Sequence, residues 1–82
     1  MIEFDNATVG KTIKRLRKEK HLSQEVLSGL AGIGRSHLSM IETGAKQASF
    51  ETLWKISSAL DILPHELVKK IEENIVLKNE GK

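Results

Sequence analysis

The chain has 82 residues, of which 39% are apolar and 29% charged, and it contains no cysteine. That length supports one domain with a limited buried fraction, so tight packing or a partner subunit is needed, and the missing cysteines exclude disulfides and thiolate metal sites. No run approaches the roughly 18 apolar residues of a membrane span, and Met1–Gly10, with Glu3 and Asp5, lacks the pattern of a secretory signal; a soluble, cytoplasmic protein is expected.

Five segments carry helical apolar spacing and none alternates as a strand does, which predicts an all-α, five-helix domain over about 6–77 and a frayed polar tail at 78–82. The first segment, about 7–20, places Val9, Ile13 and Leu16 on one face, with Asp5, Asn6 or Thr8 as its cap. Gly10 there costs about 1 kcal/mol of helix propensity. The segment also holds Lys11, Lys14, Arg15, Arg17, Lys18 and Lys20. They help give residues 1–46 eight Lys/Arg against five Asp/Glu, a balance of +3, whereas residues 47–82 hold five against six, a balance of −1. Such a basic face attracts nucleic acid or simply stays solvated.

The second segment begins at Ser23, a good N-cap, with Glu25 near the positive helix end. Val26, Leu27, Leu30 and Ala31 form its apolar face, and Gly32 ends it. The third, about 35–43, starts from Gly34, turns Leu38 and Ile41 inward and stops at Gly44. The fourth, about 49–60, has a serine cap and an apolar set of Phe50, Leu53, Trp54, Ile56 and Leu60, in which Trp54 is expected to pack in the core. The fifth starts at Pro64, a favourable first helical residue, and carries Leu67, Val68, Ile71 and Ile75.

Segments two and three, together 23–43, are joined by Gly32-Ile33-Gly34. Helices linked that tightly cross steeply, at about 90–120°, with Ile33 available to plug the corner. One face of the third helix then stays outside the core. It holds Arg35, Ser36, Ser39, Met40 and Thr43, with His37 at its flank, and a protruding helix fits the major groove of DNA. Enzyme chemistry has no constellation in its favour. His21, His37 and His65 are too scattered for a metal, Glu72 and Glu73 read as soluble surface, and neither a phosphate loop nor a nucleophile motif is present. No cofactor and no metal are expected.

The stretch SQEVLSGLAGIGRSHLSMIETG resembles the helix-turn-helix of the Cro/phage-repressor type, or Xre family. VGKTIKRLRKEKHLSQ before it and SFETLWKISSALDILPHELV after it are similar to that family's first and last helices. The resemblance covers about residues 9–68, with Leu27, Gly32, Ile33, Leu38, Ile41 and Glu42 at the family's spacing. It implies a lambda-repressor-like fold and a regulator that binds double-stranded DNA. Arg35, Ser36 and Met40 would face the bases, while Gln24, Ser39, Thr43, Lys46 and His37 would lie by the backbone. Gln24 would also brace the third helix, and Arg17 and Glu42 would form a structural salt bridge. In chemical terms Arg35 suits guanine, Ser36 several bases, and Met40 a thymine methyl. Gly34, Ser28 and Ala48 stand where the family commonly has a hydroxyl or acid, an alanine and a proline.

One such domain makes few base contacts, so a homodimer on a near-palindromic operator is expected, with recognition helices about 34 Å apart. The fifth helix, 64–77, is assigned to the dimer seam through Leu67, Ile71 and Ile75, together with Leu63. The resemblance extends to phage repressors and to the short controller proteins of restriction-modification systems. It implies control of the chain's own promoter and, for an activator, contact with RNA polymerase. The alternative is a protein-interaction module, an antitoxin or scaffold that keeps the fold.

Overall fold

The computed structural model describes residues 2–80, and its architecture among these is five helices without a strand. They are α1 (Asn6–Glu19), α2 (Gln24–Ala31), α3 (Arg35–Thr43), α4 (Phe50–Ala59) and α5 (Pro64–Glu80). No described helix is long and apolar enough to cross a membrane.

The helix ends follow local chemistry. Ser23 and Ser49 each accept a hydrogen bond at 3.1 Å, from the Val26 and Thr52 N–H groups. At the start of α5, the Glu66 carboxylate accepts from the Leu63 N–H at 2.8 Å, which satisfies a donor the helix itself cannot pair. Gly32 and Gly44 end α2 and α3 with φ of 70° and 84°, a region in which a side chain is strained. The same left-handed turn ends α1 and α4 without glycine, at His21 (φ 57°) and Asp61 (φ 60°). In both places the next N–H reaches back into the last turn, Leu22 to the Arg17 carbonyl at 3.1 Å and Ile62 to the Ser57 carbonyl at 3.0 Å.

The principal packing closes into a ring: α1 lies against α3, α3 against α2, α2 against α4, α4 against α5, and α5 back against α1. The ring encloses one core of Val9, Ile13, Leu16, Leu27, Ala31, Leu38, Ile41, Ile56, Leu60, Leu67, Ile71 and Ile75, with Ile33 packed on its edge. Since α3 is flanked by α1 and α2, its outer face is left uncovered.

Three expectations are corrected by this packing. Leu67, Ile71 and Ile75, assigned to a dimer seam, are 0%, 7% and 7% exposed and belong to the chain's own core, although Ile71 and Ile75 also border a surface groove along α5. The ring needs a fifth wall, and these three residues are its inner face. Trp54 is the reverse case. It is 53% exposed and meets Phe50 edge-on outside the core, ring centroids 6.0 Å apart. The inward arc of α4 is taken by Thr52, Ile56, Ser57 and Leu60, and Phe50 and Trp54 share an adjacent stripe four residues apart. Val26 and Leu30 on α2 are exposed for the same reason, since Leu27 and Ala31 fill that helix's inward arc. Third, the tail expected to fray remains helical through Glu80. Lys78 pairs with Asp5, and the Asn79 side chain donates to the Ile75 carbonyl at 2.9 Å. Gly81 and Lys82, the rest of that tail, lie outside the described residues.

Candidate nucleic-acid interface

The outer face of α3 is held in place by a buried polar network at its C-terminal end. Arg17 of α1 donates twice to the Glu42 carboxylate, Nε to Oε2 at 2.7 Å and Nη2 to Oε1 at 2.9 Å. Its third donor, Nη1, goes to the Leu22 carbonyl at 2.8 Å. The two side chains are 8% and 2% exposed. A buried charge needs a partner and full hydrogen bonding, and this fork-to-carboxylate geometry supplies both. The hydrogen bonds to Glu42 raise the Arg17 pKa further above its already high ordinary value, against the opposing effect of burial.

Gln24, the first residue of α2, joins the network: its Nε2 donates to Glu42 Oε1 at 2.9 Å. The Arg17–Glu42 pair therefore ties α1, the turn after it, the start of α2 and the end of α3 together. The bracing role implied for Gln24 thus has a specific partner. Two further contacts set the height of α3. Gly10 of α1 lies so close beneath it that a Cβ there would sit 2.2 Å from the Ile41 carbonyl oxygen and 2.5 Å from that of Glu42. Asn6 donates to the Gly44 carbonyl at 2.9 Å, fixing the turn where α3 ends.

Outward from this base, Gln24, Arg35, Ser36, Ser39 and Met40 line one shallow concavity. Arg35, Ser36 and Met40 are exposed and Ser39 is half-buried at its floor. Among the described residues no carboxylate stands within ion-pair distance of the Arg35 guanidinium. Its five donors remain open to a ligand. Thr43 is exposed at the end of the face, its hydroxyl donating to the Met40 carbonyl at 3.1 Å. Lys46 follows the turn with its side chain in solvent, while its N–H bonds the same carbonyl at 3.2 Å. His37 is half-buried at the flank. This surface combines a planar cation, hydroxyls and one soft apolar side chain, the mixture that reads base edges and phosphates.

Gly10 and Asn6 are the positioning residues that spacing alone did not single out. In sequence Gly10 registers only as a weak helix former, because the close approach that requires it involves residues some thirty positions away.

The helix-turn-helix family profile (HTH_3) matches residues 13–67, most of the ring just described. The chain belongs to the helix-turn-helix family. Among its relatives, control protein C.MunI from a Mycoplasma species is 42% identical over 65 residues, 78% of this chain and 88% of its own length. The regulator SinR of Bacillus subtilis is 38% identical over 66 residues; the match takes in 79% of this chain but only 60% of SinR. Among solved structures, the restriction-modification controller protein C.AhdI from Aeromonas hydrophila superposes with a TM-score of 0.74 at 40% identity, covering 77% of this chain and 96% of that one. SinR, described as the master regulator for biofilm formation and solved in complex with DNA, gives a TM-score of 0.68 at 39% identity over 73% of this chain and 97% of that one.

Proposed function

We propose that this chain is a transcription regulator that binds double-stranded DNA in a sequence-specific manner, setting α3 into the major groove as one half of a homodimer on a near-palindromic operator. The observation that carries this reading is the exposed Arg35–Ser36–Met40 face, free of ion pairs among the described residues and braced from behind by Glu42. Family membership, and the relative of 39% identity solved with DNA, support it.

Arg35 reads a guanine through its fork, Met40 packs on a thymine methyl, and Ser36 adds a less discriminating bond. Gln24, Ser39, Thr43, His37 and Lys46 take phosphates, which fix register; of these contacts only that of the cation Lys46 adds to the salt dependence. Control of its own promoter is part of this proposal, supported by the similarity to controller proteins.

The dimer seam is placed on the apolar surface that the core leaves open. Ile2, Phe4, Leu63 and Val68 are 50%, 64%, 58% and 40% exposed, and Ile2, Phe4, Val68, Ile71, Ile75 and Val76 line one apolar groove along α5. Apolar surface of this kind is a usual mark of an interface.

Selection of bound sequences from a random duplex pool tests the reading. Recovery of a two-fold related motif is expected, and recovery of no motif would remove it. Within the selected motif, Arg35→Ala lowers preference for the site over mixed-sequence DNA by about 1–3 kcal/mol, roughly 5- to 150-fold. Equal losses on both DNAs would move Arg35 to the phosphate backbone.

A further inference from the structure

The outer face of α1 carries charge that neither the fold nor the α3 surface uses. Lys11, Lys14, Arg15 and Lys18 fall at helical spacing on the side turned away from the core, are all exposed, and line one shallow concavity with Glu19. Ordinary helix physics does not call for this pattern. A solvated helix face gains from opposite charges three or four residues apart and loses from like charges at that spacing. Here only Arg15–Glu19 makes such a pair, at 3.8 Å, while Lys11–Lys14, Lys11–Arg15, Lys14–Lys18 and Arg15–Lys18 are all like-charged. Attraction to the negative helix C-terminus accounts for Lys18 in the last turn, but it falls off too quickly to account for Lys11 or Lys14.

The ring puts this stripe next to the recognition surface. α1 is the neighbour of α3 on one side, as α2 is on the other, and Gly10 and Arg17, beside the stripe on α1, touch the last turn of α3. We propose that Lys11, Lys14, Arg15 and Lys18 form a second phosphate-binding surface, holding the backbone of duplex DNA beside the groove that α3 reads, without regard to sequence. The proposal rests on the reading of α3 given above.

The chemistry of the stripe selects this partner. It has no exposed large apolar side chain, so it lacks the anchor that a protein interface builds its affinity on. A second copy of the chain does not match it either. On the outer face of α5, Glu66 and Glu73 surround one hollow together with Lys69 and Lys70, so the charges there are mixed. A row of cations without apolar anchors suits a regular polyanion whose binding is driven by counterion release.

The test uses the full chain with Lys11→Gln, Lys14→Gln, Arg15→Gln and Lys18→Gln combined, all at exposed positions, with circular dichroism and the thermal midpoint confirming the fold. Affinity for a long mixed-sequence duplex is measured across a salt series, with polyglutamate as a second probe. The slope of log K against log salt is expected to flatten by about 3.6, since each of the four phosphate contacts contributes about 0.9, while preference for the selected site over mixed-sequence DNA is unchanged. An unaltered slope overturns the proposal. So does loss of site preference, which would make the stripe part of the readout, and so does wild-type binding to polyglutamate as tight as to duplex. A wild-type chain that binds no duplex overturns this proposal and the function together. Arg35→Ala that leaves preference intact, combined with a flattened slope in the stripe variant, overturns the α3 reading alone.

Discussion

Gly10 shows how one residue can be judged oppositely by local and tertiary physics. In an isolated helix, replacing it with alanine gains about 1 kcal/mol. In the folded chain the new Cβ would meet two backbone carbonyls of α3, which cannot rotate away as a side chain could. The overpacking term wins, and Gly10→Ala is expected to destabilise by about 2 kcal/mol net, lowering Tm by roughly 10 °C in a domain of this size. A midpoint equal to or above wild type in calorimetry would show that α1 and α3 separate without cost. Glu42 makes the companion case. Truncating it strands Arg17 in the interior, so Glu42→Ala is expected to cost about 3–5 kcal/mol, and the double change Arg17→Met with Glu42→Met less than the single one. Denaturant unfolding of the three proteins checks that order; a double variant weaker than the single would mean that the hydrogen bonds outweigh desolvation.

At the scale of elements, the ends of the helices decide more than their middles. α5 runs to Glu80 because its C-terminal half has partners: Lys78 reaches Asp5, ahead of α1, and the Asn74 side chain donates to the Thr12 hydroxyl at 3.0 Å. The hydrogen bond from Lys78 and that from the Thr8 hydroxyl lower the Asp5 carboxyl from 3.8 to about 2. A carboxyl depressed on folding contributes its stabilisation in full above its unfolded value, and that contribution is lost as pH falls through the folded one. Asp5→Asn is therefore expected to lower the thermal midpoint above pH 3.8, with the gap to wild type closing as pH falls towards about 2. A gap that stays constant over that range would assign the effect to something other than this ion pair.

For the whole molecule, the proposed function draws on two of the surfaces that the ring of five helices leaves open: the α3 face with its α1 flank, and the apolar groove by α5. In the proposed dimer, two recognition helices one turn of DNA apart put another copy on the second surface. Because a two-fold seam meets each residue twice, Val68→Asp is expected to weaken self-association at least tenfold, given about 1.5–3 kcal/mol for burying such a side chain. Sedimentation velocity over a concentration series reads this directly. A wild-type chain that stays monomeric at high micromolar concentration would remove the seam.

The all-α class, the five helices, the turn at Gly32–Gly34 and the outward set on α3 were all legible from spacing and capping, because these depend on residues at most a few positions apart. Burial was legible for Ile13, Leu27, Leu38 and Ile41, but not for every apolar residue. Leu67, Ile71 and Ile75 read as spare surface until a fifth wall was needed, and Trp54 read as core until smaller residues had filled the inward arc of its helix. Helical periodicity marks an apolar arc but carries no information on how wide the neighbouring helices will cover it. That width, the close seat of Gly10 under α3 and the three-way hold of Arg17 and Gln24 on Glu42 arise only when segments distant in the chain come together.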